Sequence, residues 1–151
     1  MPLFKSDVAK EFAVFFILIA SVVIVYPIYL LEYALSGTGA LPYISPFIEE
    51  TIKGLVIFYF IKKTNPDIKG AMLYGIAMGG GYGFIENLLY GIKLIPNPYF
   101  FGIMGLRFLY PLFIHINSST VFSVMSNKKL IFLGLIMAII IHLMYNMAVL
   151  L

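Results

Sequence analysis

The chain has 151 residues, of which 62% are hydrophobic and 11% charged; its net charge is +3 and its mean hydropathy +1.00. A soluble domain is about 45–50% apolar and about 25% charged, so a water-soluble class is excluded and an all-α polytopic membrane protein is expected. There is no cysteine, which excludes disulfides and thiolate chemistry, and the basic residues lie in short hydrophilic breaks, a pattern that orients a membrane protein and gives no reason to expect a nucleic acid partner.

At about 20 residues per span the length holds five or six helices in one domain, residues 1–151. Alternating strands of an outer-membrane barrel are absent. The polar start, Met1 to Lys10, and the long apolar run after it do not suit a cleaved signal peptide.

The first span, residues 11–31, is uniformly apolar and reads as a lipid-facing anchor; Glu32 and the Ser36-Gly37-Thr38-Gly39 stretch end it. The second, 46–62, opens on Ser45-Pro46, a capping residue followed by proline at the first helical position. Glu49 and Glu50 then fall in its first turns, where the helix dipole favours a carboxylate. Lys53 is within reach of either. The span closes at Lys62-Lys63.

Asn65-Pro66-Asp67 is a turn. The third span, 69–95, carries Ala71, Gly75, Gly79 and Gly83 at four-residue intervals, continued by Asn87 and Gly91, a face that lets a neighbouring backbone approach. Gly79-Gly80-Gly81 predicts a kink, and Glu86-Asn87 follows it. The fourth span, 99–126, carries Arg107, Pro111, His115 and Ser119; Pro111 predicts a kink and a backbone carbonyl released into the interior. The fifth, 130–151, has His142 and, one turn later on the same face, Asn146.

Lys5, Lys10, Lys62, Lys63, Lys69, Lys128 and Lys129 fall in alternate breaks and only Lys93 flanks the other side, so the N-terminus is expected to be cytoplasmic. Helical rise then puts Glu86 roughly 25 Å and His142 roughly 18 Å from the inner ends of their spans. Glu49 and Glu50 lie near the outer end of theirs, and His115 roughly 24 Å from that face unless a kink lifts it. A polar pocket in the outer half of the membrane follows.

Ionisable residues inside apolar segments mark functional sites by default. Each has a plainer reading alone: Glu49 to Lys53 as an interfacial helix start, Glu86 as an interhelical hydrogen-bonding group, Arg107 as a counter-ion, either histidine as a satisfied core residue. Taken together, Glu49, Glu50, Glu86, His115 and His142, with Lys53, Arg107, Asn87, Ser119 and Asn146 beside them, can bind a divalent metal. Oxygen-plus-nitrogen ligation suits Zn2+ with one open position, or a glutamate can activate water directly. Asn146 can donate to a developing oxyanion.

The ordered series Glu49-Glu50-x-x-Lys53, Gly83-Phe84-Ile85-Glu86-Asn87, Arg107 with His115-x-x-x-Ser119, and His142-x-x-x-Asn146 resembles the motifs of the PrsW-type intramembrane proteases, in a superfamily with the CaaX prenyl endopeptidases and the bacteriocin-processing proteases. The resemblance covers about residues 45 to 151. It implies a glutamate-dependent endopeptidase acting on membrane-anchored protein substrates in the cell membrane of a prokaryote. It also implies a glutamate of the pair as base, taken as Glu49, with Glu86, His115 and His142 as metal or water ligands and Glu49 as a further candidate ligand. The CaaX branch has a histidine at the position of Glu86 and an arginine one position after Lys53, so the chain sits nearer the PrsW type. The rivals are an ion- or proton-coupled transporter, a haem protein ligated by the two histidines, and a non-catalytic membrane scaffold. Serine and aspartyl proteases are disfavoured: Gly-x-Ser-x-Gly is absent, and Asp7 and Asp67, the only aspartates, lie outside the spans.

Overall fold

The computed structural model describes residues 7–150; Lys5, counted above among the orienting charges, and Leu151, the end of the last expected span, lie outside them. Among the described residues all regular structure is helical: α1 (Asp7–Leu35), α2 (Leu41–Thr64), α3 (Ile68–Leu94), α4 (Phe100–Asn127) and α5 (Ile131–Leu150), with one 3-10 turn at Ser36–Thr38. Among the described residues, three helical stretches are long and apolar enough to cross a membrane: Val8–Leu35, Phe100–Asn127 and Ile131–Val149. The other two helices, α2 and α3, are of similar length, about 36 and 40 Å, but carry the charged and glycine-rich stretches. Large apolar side chains such as Phe12, Val23, Leu55, Phe113 and Met144 stand exposed around the bundle, as contact with lipid requires.

The largest departure from the sequence reading is the start of α2, at Leu41 instead of Pro46. Gly39, left-handed at φ 68°, ends the preceding turn, and Pro42 occupies the first turn of the helix, where a missing N–H leaves nothing unpaired. Ser45 is therefore no cap but a helical residue one turn before Glu49. The earlier start also sinks Glu49 to about 12 Å from the helix end, towards the depth of His115. At the other end of α2, Asn65 in the left-handed region caps the helix, and the Asp67 side chain then accepts from the Gly70 N–H to start α3.

Ile17 of α1, Ile57 of α2, Tyr74 and Met78 of α3, Phe122 of α4 and Ala138 of α5 form one buried apolar cluster, so all five helices share a core. The tightest pair is α3 against α4. A Cβ at Gly79 would collide with the His115 carbonyl oxygen, and one at Gly83 would lie 2.8 Å from the His115 ring. The small-residue face is thus the groove that seats His115. The helix α3 runs unbroken through Gly79-Gly80-Gly81.

Two prolines inside helices explain two asparagines. Pro111 has no N–H for the carbonyl four residues back, that of Arg107. The Asn87 amide donates to that oxygen at 2.9 Å, tying α3 to α4. Pro46 likewise frees the Pro42 carbonyl, and the Asn146 amide donates to it at 3.2 Å, tying α5 to α2.

Candidate active site

Helical spacing puts Ser45, Glu49 and Lys53 on one face of α2, with Glu50 a step round it. These buried groups meet His115 and Ser118 from α4 and His142 from α5. Glu86 of α3 closes the other side of His115.

The two adjacent glutamates differ in their surroundings. Glu50 Oε1 accepts from Lys53 Nζ at 2.5 Å, His142 Nδ1 at 2.9 Å and Ser118 Oγ at 3.1 Å. It is saturated. Glu49 accepts from Ser45 at Oε1, 2.6 Å away, while its Oε2 is buried and makes no hydrogen bond. That oxygen faces His115 Nδ1 at 3.8 Å, and Lys53 Nζ and His142 Nδ1 at 4.0 Å each. Leaving one oxygen of a buried carboxylate unpaired is costly, and it is the arrangement a water or a cation completes.

The histidines are fixed by their neighbours. His115 Nε2 lies 2.6 Å from Glu86 Oε2, and its Nδ1 lies 3.2 Å from Lys53 Nζ. An ammonium donates, so Nδ1 holds the lone pair, which Lys53 meets and an ion beside Glu49 would have to take over, and Nε2 carries the proton on the side of Glu86. His142 Nδ1 donates to Glu50, which leaves its Nε2 as the lone-pair nitrogen. The rings stand edge to face with centroids 4.8 Å apart. Tyr82 packs on His115 and beneath the Lys53 ammonium.

One ligand atom from each of Glu49, His115 and His142 lies within 4.8 Å of the others. One carboxylate and two imidazoles, with an orphaned oxygen among them, suit a divalent ion that keeps an open position. Glu86, expected among the ligands, lies outside this trio: its carboxylate braces His115 and reaches Arg107 Nη2 at 3.3 Å. Such an outer partner orients a ligand imidazole.

Other expectations fall differently. The Asn146 amide, expected as an oxyanion donor, is engaged with the Pro42 carbonyl. Asn87 holds the Arg107 carbonyl. Arg107 stacks 3.8 Å over the Tyr90 ring as well as pairing with Glu86. Ser119 takes no part in the cluster: its carbonyl lies against Gly75 of α3 and its buried hydroxyl makes no hydrogen bond. The serine that reaches the site is Ser118.

A cavity of about 220 Å³ opens onto this cluster. Glu49, Glu86, His115 and His142 line it, together with Arg107, Asn146, Tyr145 and two residues read in the sequence only as helix ends, Glu32 and Ser45. Ser45 is detectable in retrospect, four residues before Glu49 on the same helix face. Glu32 has no such local signal; only the packing of α1 on α2 brings it in.

Comparison with known families matches the chain over residues 10–151 to the PrsW family intramembrane metalloprotease. No curated protein and no solved structure matches it.

Proposed function

Because the chain belongs to the PrsW family, a family of intramembrane metalloproteases, we propose that it hydrolyses a peptide bond in membrane-anchored protein substrates at the cavity lined by Glu49, Glu86, His115 and His142. The observation that carries this reading is the buried, unpaired Oε2 of Glu49 facing two oriented imidazoles.

On this reading Glu49 is the base. Its Oε2 takes a proton from water, the water oxygen adds to the scissile carbonyl carbon, and the proton passes to the departing amine as the C–N bond breaks. His115 and His142 hold water and carbonyl in place; with a metal held by all three residues, Glu49 Oε2 would be a donor to it and no longer the base. A divalent ion bound by these three residues, zinc being the best match to the donors, supplies polarisation of the carbonyl and acidification of water. Glu50, Lys53, Ser118 and Glu86 fix the two imidazoles and separate the roles of the paired glutamates. Arg107 holds Glu86, Asn87 frames the site from outside, and Asn146 frames it at the cavity wall. Five membrane spans, with α2 and α3 crossing beside the three apolar helices and the N-terminus cytoplasmic, complete the proposal.

The test is cleavage of a membrane-anchored reporter by purified protein, with metal content read on the same samples. Glu49→Gln keeps the shape but cannot take a proton, and is expected to lower turnover by about 100-fold or more. His142→Ala is expected to lose both turnover and metal. Undiminished cleavage by Glu49→Gln would reject the site.

A further inference from the structure

The carboxyl of Glu32, on the last turn of α1, reaches the cavity and hydrogen-bonds Ser45 Oγ. The same hydroxyl bonds Glu49 Oε1 at 2.6 Å. One serine on α2 therefore joins a carboxyl of α1 to the carboxylate proposed as base. A hydroxyl donates a single hydrogen, so it cannot donate to both neighbours. Both contacts close when the Glu32 carboxyl, in its protonated form, donates to Ser45 and Ser45 donates to Glu49. This direction leaves Glu49 as the acceptor, with its second oxygen turned to the histidines. It also suits Glu32 itself, which forms no ion pair among the described residues.

The need for such a clamp is visible on the other side of Glu49. Lys53 Nζ is 4.0 Å from Glu49 Oε2 and is held by Glu50. A carboxylate free to turn about its side-chain bonds would close that gap to a direct hydrogen bond with Lys53, taking Oε2 away from His115 and His142. Ser45 prevents this by fixing Oε1, and Glu32 fixes Ser45.

We propose that Glu32 and Ser45 are positioning residues for Glu49: the α1 carboxyl, acting through the α2 hydroxyl, holds the Glu49 carboxylate with one oxygen presented to His115 and His142. The first helix is thereby part of the functional unit. This inference rests on the reading of Glu49, His115 and His142 given above.

Outer partners of this kind change metal affinity or activity by about 10- to 100-fold when removed. The experiment compares wild type, Ser45→Ala, Glu32→Leu and Glu32→Gln in two assays: zinc titration of chelator-treated protein in detergent, and cleavage of the membrane-anchored reporter with kcat and KM separated. Ser45→Ala and Glu32→Leu are expected to weaken zinc binding and lower kcat within that range while KM stays within about twofold. Glu32→Gln keeps a donor to Ser45 and is expected to recover most of both losses.

Wild-type zinc affinity and kcat in both Ser45→Ala and Glu32→Leu overturn the proposal. So does a Glu32→Gln defect as deep as that of Glu32→Leu, since a clamp built on hydrogen bonding tolerates an amide. Should Glu32→Leu fail to fold, Ser45→Ala, which removes a single oxygen, decides the outcome alone. If wild type itself neither binds zinc nor cleaves, the proposed function fails and this inference falls with it. An active wild type with indifferent variants rejects the positioning role alone.

Discussion

Lys53 shows how a single residue holds this site together. Its ammonium is fully buried, 2.5 Å from Glu50, 3.2 Å from His115 and over the Tyr82 ring. Removing one partner of such a buried pair leaves a charge without compensation and costs about 3–5 kcal/mol. Lys53→Met is accordingly expected to destabilise the protein by about that amount, and Glu50→Gln in the same chain to recover part of it. Unfolding in detergent checks both; additive effects would mean that the pair is not coupled. The sequence identified Lys53 as a partner for the glutamates, because spacings of three and four both fit a helix. It offered no way to separate Glu49 from Glu50. That distinction depends on Ser118 and His142, which reach Glu50 Oε1 from two other helices, and no spacing within α2 contains it.

Between elements, the two asparagines serve carbonyls that prolines release. Asn87→Ala would leave the Arg107 carbonyl buried without a donor, at about 1–3 kcal/mol. Restoring the helical donor with Pro111→Ala is expected to reduce that loss, so Asn87→Ala should cost less in the Pro111→Ala chain than in wild type. A double-mutant cycle on thermal unfolding measures the coupling, and equal costs in both backgrounds would refute the link. The glycine groove gives a second comparison. Gly79→Val is expected to push α4 away and displace His115, lowering both stability and turnover. Gly102→Ala, where an added Cβ meets nothing, should change stability by no more than about 1 kcal/mol. Melting and reporter cleavage of the two variants side by side check this. The sequence showed the glycine face and the carbonyl released by Pro111. It placed Asn146 on the face of His142, but a helix face says nothing of the carbonyl on another helix that one of the two amide hydrogens will serve.

For the whole molecule, helix number and order were legible from the alternation of apolar stretches with polar breaks, although among the described residues only α1, α4 and α5 hold stretches long and apolar enough to cross a bilayer. The start of α2 was not. A serine followed by proline is a sound helix start, but a second proline four residues earlier starts the helix sooner. Glu32 was missed because the angle between α1 and α2, which brings the end of one helix to the side of the next, is a property of packing. The orientation proposed here has a direct check, since a chain without cysteine accepts single ones as labels. Lys63→Cys and Lys128→Cys are expected to react with a membrane-impermeant thiol reagent only from the cytoplasmic side, and Gly37→Cys only from the opposite side. Labelling of all three from one face would refute the proposed crossing of α2.

The proline–asparagine pairs also bear on inheritance. Pro46 and Asn146 lie far apart in the chain, yet each makes sense only with the other: the ring removes a donor and the amide supplies one. A lineage that replaces Pro46 by a residue with an N–H relieves Asn146 of its task, and one that loses Asn146 first is left with an unpaired carbonyl beside the cavity. Substitutions at the two positions should therefore accumulate in step across descendants, as should those at Pro111 and Asn87, with the proline changing first.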